Sequence, residues 1–360
     1  MPDIIKILQS PKIFVFSLVN MILLVFLGTI FQGDLGLYQT QKIYFSSWIH
    51  WLYIIPLPGG RLIMVVMFIN LSAMLCREKM WRVSKSGIII VHMGALMLLI
   101  GGGITAIFSY EGQMNIQEGE SSNYISDYYI KEFIVIENNG KPIITDQENL
   151  YPGSKIRLSD PGFSIEIISY LENCDVIKRI APCDDCRGNY NNFELISMPY
   201  EKEFELNHSA LVFKVSDSEQ SINGVYASSI YEREHNNFLL NDKSYNFILR
   251  TKRTYLPFEI ELIEFTEELH PGTEIAKSYS SDVVLKKNGV GREVTISMNE
   301  PLRTGGYTFY QSSFNNTGTN DISIFAVVKN YGQLFPYISS IVMCIGLLIH
   351  LLTMLKNRKQ

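Results

Sequence analysis

The sequence predicts a membrane protein: four transmembrane α-helices, with a large all-β extracytoplasmic domain inserted between helices 3 and 4. Three observations predict it. Apolar residues collect in four blocks, and charge collects between residues 109 and 330. That polar segment also carries short, turn-punctuated strand patterns with no long helical period. The mean hydropathy of +0.09 averages these two regimes.

A spanning helix needs about 20 predominantly apolar residues. Block 13–31 meets this, with Asn20 as its main polar interruption. Its apolar core exceeds the ~7–15 residues of a signal peptide and no A-x-A-like site follows, so it reads as an uncleaved span. The second block, 59–76, is shorter, and the stretch through Tyr53, Pro56, Pro58 and Gly59 is expected to extend it at the interface. Blocks 87–108 and 334–355 qualify outright. The domains are thus 1–108 with three helices, 109–333, and 334–360 with the last helix and a short basic tail.

Basic residues in short flanks set orientation. Lys6 and Lys12 precede the first span, Arg77, Lys79, Arg82 and Lys85 lie between the second and third, and Lys356, Arg358 and Lys359 follow the fourth. All three flanks fall on one side of a four-span chain, which predicts cytoplasmic termini and an extracytoplasmic 109–333 domain. Trp48, Trp51 and Tyr53 look like an aromatic belt at the outer interface.

Within the polar segment, 133–137 and 142–145 flank Asn138-Asn139-Gly140-Lys141, a hairpin signal. Strands are also expected at 283–287 and 293–298, around Asn288-Gly289-Val290-Gly291, and at 163–170, 210–215, 245–250, 258–265, 307–311 and 322–328. The expected architecture is a sandwich or open barrel.

A net charge of -5 over 360 residues, with no basic face, argues against nucleic acid as a partner. Gly-rich phosphate loops, H-E-x-x-H and a Ser nucleophile elbow are absent from the sequence.

His92 is the leading site residue, because an ionisable group inside an apolar span is costly and marks function by default. Imidazole is a common protein ligand of haem iron. Gly87, Gly94 and Gly101 recur every seven residues and form a small-residue stripe for close helix approach. His92 is about 200° around the helix from Gly94 and faces elsewhere. The plainer reading is a histidine bonded to a neighbouring helix. His350, about as deep in the last span, is a weaker haem-ligand candidate whose plainer role is at the interface. Cys183-Asp184-Asp185-Cys186 is followed by Arg187, so it is not a haem-attachment motif. A local disulfide is the simplest reading; a redox relay is the sharper one. Metal binding would need more ligands, and no spacing ties Cys174, His208 or His235 to the pair. Cys76 and Cys344 read as apolar filler, His50 as a solvated interface group or a ligand contact, and His270 as a turn residue.

Several strings resemble the ResB (CcsB) family of system II cytochrome c biogenesis proteins. They include Ser86-Gly87-Ile88-Ile89-Ile90-Val91-His92-Met93-Gly94-Ala95-Leu96, continuing through Gly101-Gly102-Gly103 to Tyr110-Glu111-Gly112 and Glu118-Gly119-Glu120. Met298-Asn299-Glu300-Pro301-Leu302, with Gly306-Tyr307-Thr308-Phe309-Tyr310-Gln311-Ser312-Ser313-Phe314, is similar to that family's late strand motif. Phe335-Pro336-Tyr337-Ile338-Ser339-Ser340, Gly346-Leu347-Leu348-Ile349-His350 and Pro58-Gly59-Gly60-Arg61 fit as well. The resemblance implies a protein of the bacterial cytoplasmic membrane that works with a CcsA/ResC-type polytopic partner. Together the two move haem b outward and join it to apocytochrome c. It implies that His92 is an axial haem ligand, that this half is non-catalytic or co-catalytic in the synthase, and that a thiol-reducing thioredoxin-like protein is a further partner. Arg82 and Lys85 are placed to meet haem propionates or only to set topology. The rival readings are a membrane-anchored thiol oxidoreductase using Cys183 and Cys186, and a haem-free binding module.

Overall fold

The computed structural model describes residues 2–137, 141–158, 162–217, 222–230, 236–240, 243–273, 276–316 and 321–358. It divides into two compact units: Met1–Tyr110 with Lys329–Gln360, and Glu111–Val328.

The first unit is helical. It contains α1 (Pro2–Leu8), α2 (Pro11–Thr40) continuing into a π-turn at Gln41–Phe45, a hairpin of β1 (Ile49–Leu52) and β2 (Ile55–Pro58), α3 (Gly60–Leu75), α4 (Ser86–Phe108) and α5 (Phe335–Arg358). Ser10 caps α2 by accepting from the Lys12 amide at 3.4 Å, and Pro11 occupies the first turn, where its missing N–H costs nothing. Gly36, at φ 76 and ψ 167, puts a kink in α2.

Among the described residues, three helical segments are long and apolar enough to cross a membrane: Pro11–Phe45, Val83–Phe108 and Phe335–Lys356. The expected first span is the middle of a longer helix. The expected second span is α3, apolar but only 16 residues, about 24 Å at 1.5 Å per residue against a hydrocarbon core of about 30 Å. The expected extension through residues 53–59 is corrected: it is not helical. Ile49 pairs with Pro58 and Trp51 with Pro56 in a two-stranded ribbon, where prolines without N–H groups sit on an edge.

Leu24 and Tyr44 pack with Ile63 and Met67 of α3, and Leu99 of α4 joins them. Asn70 of α3 is buried, and its Nδ2 donates to the carbonyls of Leu8 at 2.5 Å and Ser10 at 2.9 Å, which ties α3 to the α1–α2 corner. The α4 glycine stripe lies against α5. A Cβ at Gly94 would sit 2.6 Å from Met343 Cγ and 3.0 Å from the Ser339 carbonyl oxygen, and one at Gly346 would sit 2.7 Å from the Val91 amide nitrogen. Thr105 Oγ1 of α4 also donates to Asn330 Oδ1, in the segment before α5, at 3.0 Å.

The second unit is β-rich. Its elements are β3 (Tyr110–Gln117), β4 (Ser121–Glu137), β5 (Ile143–Asp146), β6 (Lys155–Leu158), β7 (Phe163–Leu171), β8 (Cys174–Lys178), β9 (Phe193–Ser197), β10 (Ala210–Asp217), β11 (Gly224–Ser229), β12 (Asn236–Leu240), β13 (Lys243–Leu269), β14 (Ala276–Lys287), β15 (Val290–Ser297), β16 (Leu302–Thr304), β17 (Tyr307–Asn316) and β18 (Asp321–Lys329). The larger sheet runs β15-β14-β13-β4-β3-β18-β17-β16, with β12 on β13 and β5 on β4; a smaller one runs β11-β10-β7-β6, and β8 pairs only with β9 among the described strands.

The two long strands serve two cores. Phe133 and Val135 of β4, with Tyr245 and Phe247 of β13, face Ile165, Leu211, Phe213 and Tyr226 of the smaller sheet as a sandwich. Farther along, the larger sheet curls: Tyr279 of β14 donates to the Ser312 carbonyl at 3.3 Å, and Ser281 meets Gln311 at 2.7 Å and Ser323 at 2.6 Å. The strands expected at 245–250 and 258–265 are one element, β13. Pro257 falls where the register to β4 jumps between Tyr255 and Ile260, so it bends the strand without breaking it. Asn288 and Gly289, both at positive φ, make a tight turn, and Val290 and Gly291 already belong to β15. The other expected turn, 138–140, lies outside the described residues; on either side of it Val135 pairs with Ile143.

Candidate functional site

Helix α4 builds the site around His92. The stripe of Gly87, Gly94 and Gly101 is buried against α5, while Leu99 packs toward the α2–α3 cluster. His92 is two turns before Leu99, on the same face of the helix. It is half-buried, and its Nδ1 lies 2.7 Å from the Ile88 carbonyl oxygen. A carbonyl only accepts, so Nδ1 carries the hydrogen, and in the neutral ring the lone pair belongs to Nε2. Nε2 has no hydrogen-bond partner among the described residues. That is the tautomer of a metal-ligating imidazole whose other nitrogen is held by a carbonyl.

The other predicted residues are distributed as follows. His350 is half-buried, and its backbone lies against Gly87: a Cβ on that glycine would be 2.7 Å from His350 Cα. His92 is five residues farther along α4, about 7.5 Å by helical rise, so the two histidines are staggered along the α4–α5 pair. Arg82 is exposed and Lys85 half-buried at the start of α4, and neither has an ion pair among the described residues.

His50 corrects the expectation of a solvated group. It is 4% exposed, its ring sits 4.7 Å from that of Tyr44, and neither ring nitrogen has a partner among the described residues. Burial pushes its pKa below the usual histidine value. The neighbouring Trp48, Trp51 and Tyr53 are exposed.

Cys183 and Cys186 are joined as a disulfide. Cys174 is free and buried, and its Sγ lies 3.1 Å from the carbonyl oxygen of His208, so the His208 imidazole is not its partner in that contact. Burial, helped by Asp175, raises the Cys174 pKa to about 11, which makes it a poor nucleophile. Cys76 and Cys344 are free and exposed. His270 closes a turn whose carbonyl accepts from the Thr273 amide at 3.0 Å. His235 lies outside the described residues. Among the described residues no group of three His, Cys, Asp or Glu side chains is arranged to hold a metal ion.

Sequence reasoning missed Lys131. It is 4% exposed, with Nζ 5.1 Å from the centre of the Phe204 ring. Phe204 is 73 residues away in sequence, and no local pattern signals the contact.

Comparison with known proteins bears on this arrangement. The ResB-like family model matches residues 80–137 and 221–326. Protein NrfI of Wolinella succinogenes is 25% identical over 298 residues, covering 80% of this chain and 29% of that protein. The chain therefore spans about three-tenths of the length of that relative. The first matched segment holds helix α4 with His92 and the opening strands of the β-rich unit, and the second holds the later strands. Over these segments the chain is similar to the ResB-like family.

Proposed function

We propose that this chain is a membrane subunit of cytochrome c biogenesis and that it presents His92 Nε2 to haem iron. The observation that carries the reading is the Nδ1–H bond from His92 to the Ile88 carbonyl, which fixes the tautomer and leaves the ligating nitrogen open. The donor set fits haem: one imidazole on an apolar helix, with Met93, the next residue of that helix, exposed. Arg82 and Lys85, free of ion pairs among the described residues, are available to two propionates. Haem bound there would supply the iron and the vinyl groups that form thioethers with a cytochrome.

His92 would supply one ligand to the iron, and a CcsA/ResC-type polytopic partner would supply the other. The chain itself holds and orients; the joining chemistry belongs to the pair. In this reading four spans place both termini in the cytoplasm and the β-rich unit outside, where it holds apocytochrome c. Helix α3, the short one, would cross by local thinning of the bilayer.

The test is the visible spectrum of the chain co-purified with a CcsA/ResC-type partner. His92→Ala is expected to lose at least half of the Soret absorbance, and added imidazole to restore part of it. An undiminished band in the variant would refute the ligand assignment. Loss of the band without recovery by imidazole would assign His92 to helix packing.

A further inference from the structure

The Cys183–Cys186 bridge holds together a segment that other bonds already hold. It joins residues only three apart, so it restricts the unfolded chain little. Meanwhile the Val225 amide donates to the Asp185 carbonyl at 2.7 Å, and the Arg187 amide donates to the Val225 carbonyl at 2.9 Å. Arg187 Nη1 donates to the carbonyls of Asp184 at 3.0 Å and Cys186 at 2.9 Å. Gly224 gives this docking its room, since a Cβ there would lie 2.8 Å from the Asp185 carbonyl oxygen. Oxidation of the pair is thus spare to the fold.

The two cysteines also differ. Cys186 is 2% exposed beneath its bridge to Val225, whereas Cys183 is half-buried behind exposed Pro182. Ile180, three residues earlier, is 98% exposed and offers an apolar contact next to the reachable cysteine. Both cysteines lie in the segment that joins β8 to β9.

We propose that Cys183–Cys186 is a thiol–disulfide exchange site for a protein dithiol. A thiolate of the dithiol attacks Cys183 Sγ, the bridge breaks, and Cys186 leaves as a thiolate and takes a proton. The partner's second thiolate then attacks its own sulfur in the mixed disulfide and releases Cys183. Two electrons pass to the Cys183–Cys186 pair, and the partner ends as a disulfide. This does not depend on haem binding by His92.

The experiment uses the full chain in detergent with Cys76→Ser and Cys344→Ser, which remove the exposed thiols. The chain is equilibrated in glutathione redox buffers, and its thiols are counted by alkylation and mass. The expected result is reversible reduction of the pair with the unfolding midpoint of the β-rich unit unchanged. In a second arm, a Cys-x-x-Ser peptide carries its cysteine as the thionitrobenzoate disulfide; the Cys183 thiolate of Cys186→Ser attacks the peptide sulfur, thionitrobenzoate leaves, and the resulting mixed disulfide should accumulate at least tenfold faster than it does with Cys183→Ser. Reduction only on unfolding, or equal trapping by the two variants, overturns the proposal.

Discussion

Lys131 and Glu132 are adjacent on β4 and both are buried, at 4% and 3% exposure, so the strand is covered on both faces there. Glu132 is paired with Arg250 Nε at 2.8 Å, while Lys131 lies under Phe204 with no ion pair among the described residues. Burial lowers the Lys131 pKa from 10.5 to about 8, against a weaker upward pull from Asp127. Between pH 8 and 10.5 the unfolded chain then binds more protons than the folded one, so stability rises with pH through that window. The full effect is roughly 3 kcal/mol. Lys131→Met keeps the length of the side chain and removes the charge. We expect it to raise stability at pH 7 by about 1–3 kcal/mol and to flatten the rise between pH 8 and 10.5, both read from denaturant unfolding at several pH values. A variant less stable than the parent at pH 7 would mean that the ammonium is favourably solvated. His92 was legible from its apolar span; Lys131 and His50 were not, because their burial is set by Phe204 and Tyr44, which adjacent residues do not reveal.

Helix α4 shows how glycines of one sequence run do different work. Gly87, Gly94 and Gly101 meet α5, while Gly103 has nothing within 4 Å of a built Cβ. On α5, a Cβ at Gly346 would lie 2.7 Å from the Val91 nitrogen and 2.9 Å from the Gly87 carbonyl oxygen. These are backbone atoms, so no rotamer change relieves the contact. Gly346→Ala is expected to separate the helices and cost about 1–3 kcal/mol. Gly103→Ala is expected to be neutral, or to stabilise by about 0.5–1 kcal/mol through helix propensity. Thermal unfolding in detergent checks both, and equal losses would sink the assignment of the stripe to the α4–α5 contact. The stripe was legible because a seven-residue period maps onto one helix face. The ribbon at 49–58 was not, since an apolar run with two prolines at a helix start reads as an interfacial extension. Strands β8 and β9 were missed because charged and apolar residues mix on both of their faces; Val176 and Ile196 are exposed.

At the scale of the chain, the division into a helical and a β-rich unit was legible because charge and apolar residues are segregated by position. The order of strands was not, since pairing such as β4 with β13 joins residues more than 100 apart. That pairing has an energetic consequence. β4 and β13 run continuously through the sandwich core and the curled part of the larger sheet, so loosening one core withdraws support from the other. Residues 111–328 are therefore expected to unfold in one cooperative transition. Phe213 is the probe: it is fully buried, with ring centroids of Phe247 and Phe133 at 4.8 and 5.0 Å. Phe213→Ala leaves a cavity costing about 3–5 kcal/mol. If the unit is cooperative, the variant lowers the midpoint of the whole β-rich signal, including that of a tryptophan placed at Phe314 in the curled part. A midpoint at Phe314 that stays put while the sandwich melts would show that the two cores unfold independently, despite the strands they share.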